Sequence, residues 1–99
     1  MRVMLKSQLD VDQGNLAIAD GSIGKTFDKL FGYCKPEATY FLVERGKRTV
    51  YAVFDMVSPD QIPVIAETLF QAFGAEVDLH PVMVGAELEK GLGAWMESR

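Results

Sequence analysis

The side chains with chemistry to offer are few, and they are spread along the chain. His80 is the only imidazole in the sequence. Its ordinary pKa near 6.5 makes it the natural general acid or base at neutral pH. Asp78 lies two residues away and projects from the same side of an extended chain. Tyr40 and Tyr51 each carry an aromatic face and a hydroxyl, the equipment for holding a small planar compound. Lys6 offers a contact to an anion and Gln8 a polar one. The candidate site is therefore His80 as the catalytic group, with Tyr40, Tyr51, Lys6 and Asp78 binding substrate. Each residue also has a plainer reading: an edge-strand histidine satisfied by water, tyrosines that pack an interface, and a lysine on a rim.

The stretch ADGSIGKT, residues 19–26, ends like a phosphate-binding loop. That loop needs GxxxxGK(S/T), with the first glycine opening a backbone nest around the phosphate. Ala19 stands in that place. Gly24 also falls inside a helical stripe rather than after a buried strand, so the sequence predicts no nucleotide site here. VYAVFD (50–55) imitates an apolar strand ending in a metal-holding aspartate, but it belongs to a hairpin. Glu44 and Asp55 lie at opposite ends of their strands, too far apart for a two-carboxylate mechanism. Cys34, the one cysteine, has no base at helical spacing and reads as a packed thiol. One cysteine and one histidine cannot build a typical zinc site, so neither metal nor cofactor is expected.

Composition narrows the partners. The chain has 99 residues, 48% of them hydrophobic, and a net charge of −4. A single domain is expected over residues 1–99. The acidic balance and the lack of a Lys/Arg stripe argue against nucleic acid. No apolar run approaches the roughly 20 residues of a membrane span, and MRVMLKSQLD lacks a signal-peptide core. With no disulfide available, a soluble cytoplasmic protein is the expectation.

Hydrophobic period supplies the elements that must position these groups. Residues 2–9 alternate as a strand, and Asp10 or Asp12 then caps a helix. Leu16, Ile23, Phe27, Leu30 and Cys34 form its stripe, with an irregularity expected near Gly21 and Gly24. Residues 37–45 and 48–57 read as a hairpin about a Gly46-Lys47 turn of type II′. That register pairs Val43 with Val50, Phe41 with Ala52 and Tyr40 with Val53, which sets Tyr40 diagonal to Tyr51. Asp60 caps the next helix, since this cap leaves Pro63 in the first turn, and Gly74 stops it. Residues 75–84 form a strand that Pro81 confines to a sheet edge. A last helix carries Leu88, Leu92, Trp95 and Met96 on one side.

The order β-α-β-β-α-β with a terminal helix is the split βαβ pattern of the ferredoxin-like fold, an α+β architecture with strand order 4-1-3-2. Both long helices must cover one sheet face. The covered face is expected to hold Val3, Leu5, Phe41, Val43, Val50, Ala52, Phe54, Met56, Val77 and Leu79. The candidate site residues share the other face with Met4, Leu42, Val53 and Val82. A bare face of that kind is rare in monomers.

Through this element order, and through SPDQIPVIAETLFQAFGAEVDLHPVMVGAEL, the chain resembles the dimeric α+β barrel group and small bacterial proteins within it. The resemblance implies a homodimer whose two sheets face each other across an enclosed cleft. That group includes cofactor-free monooxygenases, isomerases such as muconolactone isomerase, and members without an assigned role. Two readings follow. One is a homodimeric small-molecule-binding or structural module. The other is a cofactor-independent enzyme, monooxygenase- or isomerase-like, acting on a small aromatic or carbonyl compound with His80 as acid/base.

Overall fold

The computed structural model describes residues 1–99 as β1 (Arg2–Gln8), α1 (Val11–Ala19), α2 (Ser22–Cys34), β2 (Ala38–Glu44), β3 (Lys47–Asp55), α3 (Gln61–Phe73), β4 (Glu76–Pro81) and α4 (Gly85–Ser98). The four strands form one antiparallel sheet in the order β2-β3-β1-β4. This is the expected ferredoxin-like order read from the other edge, and β4 does lie at an edge. The candidate residues therefore ride on a sheet whose two central strands, β1 and β3, each open one of the two βαβ units.

Local chemistry accounts for most element ends. The Asp10 carboxylate accepts from the Gln13 amide at 3.1 Å and starts α1. Asp60 stands at the N-cap of α3, Pro63 sits in its first turn, and Gly74 ends it in the left-handed region.

The helical stripe over residues 11–34 is two helices, not one irregular helix. Gly21 takes φ +78°, a backbone state open to glycine, and the chain turns there. Asp20, which ends α1, accepts from the Ser22 amide at 2.8 Å, the first amide of the new helix. Leu16 is consequently 69% exposed, while Ala17 and Gly14 face the core in its place.

The β2–β3 hairpin also departs from expectation, by two residues. Its turn is Arg45-Gly46, with φ +54° and +74°, the type I′ signature. Glu44 pairs with Lys47, Phe41 with Val50, and Tyr40 with Tyr51. A shift of two keeps every side chain on its predicted face but changes every partner. Type I′ is favoured because its twist matches that of the flanking strands, and Arg45 accepts the positive φ beside glycine.

The core joins Val3, Leu5, Val50, Ala52 and Phe54 of the sheet to Phe27, Leu30 and Cys34 of α2 and to Ile65, Leu69 and Phe73 of α3. Phe27 stacks on Phe73 with ring centroids 5.3 Å apart. Val77, Leu79 and Met56 are only partly buried. Phe41 and Val43, expected beneath a helix, are 63% and 73% exposed. The helices cover the middle of the sheet and leave the outer lane over β2 open.

The terminal helix forms as the sequence predicts, but none of its residues is buried. The Val84 amide donates to the Glu87 side chain at 3.0 Å, and Arg2 reaches Glu87 at 3.7 Å, which fixes the start of α4 near β1. Beyond that point the helix projects outward. The molecule measures 56 × 28 × 19 Å with a radius of gyration of 16.1 Å. A compact chain of this length would have a radius of gyration of about 13 Å.

Candidate functional site

The face of the sheet opposite the helices carries all five predicted residues, and the observed register lines up four of them. Tyr40 of β2 lies opposite Tyr51 of β3, Tyr51 opposite Lys6 of β1, and Lys6 opposite Asp78 of β4. They form a single row across the full width of the sheet. The neighbouring row is Ala38, Val53, Met4 and His80. The two tyrosines are thus direct cross-strand neighbours, side by side rather than diagonal, a pairing that itself stabilises the sheet.

Glu44, which the sequence offers only as half of a carboxylate pair too widely spaced to act, is the centre of the polar contacts on this face. The Lys6 ammonium meets its Oε2 at 2.5 Å. The Tyr51 hydroxyl donates to its Oε1 at 2.9 Å. Gln8 donates its side-chain amide to the Glu44 backbone carbonyl at 3.0 Å and to Oε2 at 3.4 Å. Lys6 also lies 5.8 Å from the centre of the Tyr51 ring. The Lys6 hydrogen bond, and then that of Tyr51, hold the Glu44 carboxyl below the usual glutamate range. The same bond to Glu44 raises the Lys6 ammonium above its ordinary value. An anion arriving at Lys6 therefore meets a charge already balanced. No sequence signal points to Glu44, because which strand position Lys6 can reach depends on the register.

His80 is exposed on this face, opposite Met4, and its ring makes no hydrogen bond or ion pair within the chain. Asp78 stands beside it along β4 and is likewise without a side-chain partner. Cys34 lies in the core, where burial pushes its thiol upward, as suits a packing residue. At residues 19–26 the Ser22 backbone amide donates to the Asp20 carboxylate.

A concavity lies on the other side of the sheet. It is a groove of about 650 Å³ between α2 and β2. Ile23, Phe27, Phe31 and Val43 line it together with Asp28 and Arg48, and Phe41 packs edge-on against Phe27 at 5.4 Å. Its volume falls in the range of small-molecule pockets. The sequence conceals it, because period alone assigns Phe41 and Val43 to a covered face without saying how far the helices reach.

No protein-family model and no curated sequence matches the chain significantly. Solved structures match in fold. A crystal structure of a formyltetrahydrofolate deformylase from Pseudomonas putida KT2440 aligns with 82% of this chain and 28% of its own, at 12% identity and a TM-score of 0.51. The chain thus corresponds to little more than a quarter of that enzyme. The de novo designed protein Ferredog-Diesel aligns over 82% of this chain and 85% of its own, at 10% identity and a TM-score of 0.51. Identities this low speak for the architecture alone. No helix is long and apolar enough to cross a membrane.

Proposed function

We propose that the protein is a homodimeric binding module of the dimeric α+β barrel type, whose open sheet faces close on each other around a small aromatic ligand. The observation that carries this reading is the Tyr40–Tyr51–Lys6–Asp78 row, flanked by Met4, Val53 and Leu42 on an uncovered face. Four strands about 4.8 Å apart and seven residues long give a face of about 19 by 23 Å. The projected area of that face is about 440 Å² on each partner, at the low end of specific interfaces before its edges add to it. Between the sheets the exposed Tyr40 ring offers stacking and its hydroxyl a hydrogen bond, while Glu44 holds Tyr51 and Lys6 in place.

Binding is favoured over catalysis by the state of His80. A general acid or base works from a held position, and this ring has no partner to hold it. Asp78 stands beside it but makes no bond to the ring, so the enzymatic alternative depends on His80 alone. The setting proposed is a reducing bacterial-type cytoplasm, with no cofactor, nucleic acid or membrane partner.

Sedimentation velocity from 1 to 100 µM provides the test. A dimer is expected, and Val53→Asp, which sets a charge in the middle of the face, should yield a folded monomer by circular dichroism. A wild type that stays monomeric throughout that range would overturn the reading. Ligand binding is checked by chemical-shift perturbation with a panel of small phenols and lactones. Shifts that persist unchanged in Tyr40→Ala would remove the proposed cleft, and activity that survives His80→Ala would remove that residue's acid/base role.

A further inference from the structure

Arg48, on the lining of the α2–β2 groove, is a cation held in place without an anion. It enters none of the ion pairs of the chain, which use the N-terminus, Arg2 and Lys6. Its Nη2 donates to Asn15 Oδ1 at 2.8 Å and its Nη1 to the Val11 carbonyl at 3.4 Å, both neutral acceptors. Gly14 makes room for it, because a Cβ there would stand 2.7 Å from Nη1. One turn of α1 therefore fixes the guanidinium, half-buried, against the groove. Two of its five N–H donors are in use. The rest suffice for the two-point grip that a carboxylate takes.

We propose that the α2–β2 groove binds a small amphipathic carboxylate, its head on Arg48 and its apolar tail against Phe27, Phe31 and Val43. The site lies on the helix side of the sheet and needs no second copy. It therefore stands apart from the dimer and from the ligand of the open face.

Shape and charge both select that ligand. Phe41 is braced by Phe27 and Phe31, with ring centroids 5.4 and 6.3 Å away, and still leaves most of its surface open. The aromatic surface is thus already in place before a tail arrives, which spares the ligand an ordering cost. Arg48 stands opposite Val43 at the hairpin end of the sheet, so the tail runs from there towards Thr39. From Val43 to Thr39 the strand covers about 13 Å, the length of an extended tail of about ten carbons. Asp28 is the other charge on the lining, exposed on α2 one turn beyond Gly24. Opposite charges at two places orient the ligand, since Asp28 repels an anionic head and Arg48 receives it. Arg45 and Lys47, in and beside the adjoining turn, add positive charge at the same end.

Three probes with one tail and different heads test the site: decanoate, decan-1-ol and decylammonium, each below its micelle concentration. Binding is measured by calorimetry and located by amide chemical shifts. Decanoate should shift Ile23, Phe27, Phe31 and Val43 saturably and bind about tenfold or more tighter than the alcohol. Decylammonium should bind most weakly. Arg48→Met keeps the stem without the charge, and should bring decanoate down to the level of the alcohol while circular dichroism stays native. Decylammonium binding as tightly as decanoate to the wild type overturns the inference, a comparison that needs no variant. Unchanged decanoate affinity in folded Arg48→Met overturns it too, as does the absence of shifts in the groove. Shifts confined to Tyr40, Lys6 and Asp78 would place the carboxylate on the open sheet face. That result overturns the groove site and leaves the binding-module reading standing.

Discussion

Gly21 and Gly24 lie three residues apart, and alanine at the two positions should act with opposite signs. Gly21 sits at φ +78° in the break between α1 and α2, and a Cβ added there meets nothing within 4 Å. The cost is therefore conformational. A left-handed alanine costs about 1–2 kcal/mol. Stiffening of the unfolded chain returns about 0.4–1 kcal/mol. Gly21→Ala should thus destabilise by about 1 kcal/mol. Gly24 lies inside α2 with the same open space around it. Alanine there should stabilise by about 0.8–1 kcal/mol through helix propensity. With a urea m-value of about 1.5 kcal/mol/M, the midpoint should fall by about 0.7 M for the first variant and rise by about 0.6 M for the second. The assay is urea unfolding followed by far-ultraviolet circular dichroism, at one fixed protein concentration because association shifts apparent stability. A rise for both variants would refute the reasoning, since a single continuous helix over residues 11–34 gains from alanine at either site.

Three further outcomes follow from the packing and the charges. Phe73→Ala removes a fully buried ring stacked on Phe27 and should cost about 3–5 kcal/mol, read from the unfolding midpoint. Glu44, whose carboxyl is held low by Lys6 and then Tyr51, stabilises the fold above the ordinary glutamate value of about 4.3, and that contribution is lost as pH falls through the lower folded value. Glu44→Gln should lower the melting temperature at pH 7 and flatten its decline on the acid side, and an unchanged acid limb would argue against the cluster. Asp20→Ala should lower the melting temperature by freeing the Ser22 amide, whereas Asp20→Ser should keep most of the stability.

Period and turn chemistry settle a good deal of this protein. The alternation at Val3 and Leu5, the 3–4 spacing of Ile65, Leu69 and Phe73, and the positions of Asp60, Gly74 and Pro81 are local facts, and they name the ferredoxin-like order before any contact is known. The face of each strand residue is equally legible, because side chains alternate strictly and the hairpin shift of two residues leaves the parity intact. Partners are another matter. That Tyr40 stands beside Tyr51 follows from a type I′ turn at Arg45-Gly46, and that Glu44 gathers Lys6, Tyr51 and Gln8 follows from the register of three strands together.

Coverage is likewise decided only in three dimensions. Phe41 and Val43 have the pattern of buried residues, yet the helices reach only as far as their own cores of Phe27, Leu30 and Phe73 pull them. Trp95 and its stripe have the pattern of a packed helix, yet α4 leaves the sheet at an edge where nothing of its own chain lies under it. Hydrophobic period records which side of an element seeks burial. Only the folded chain determines whether another element is there to bury it.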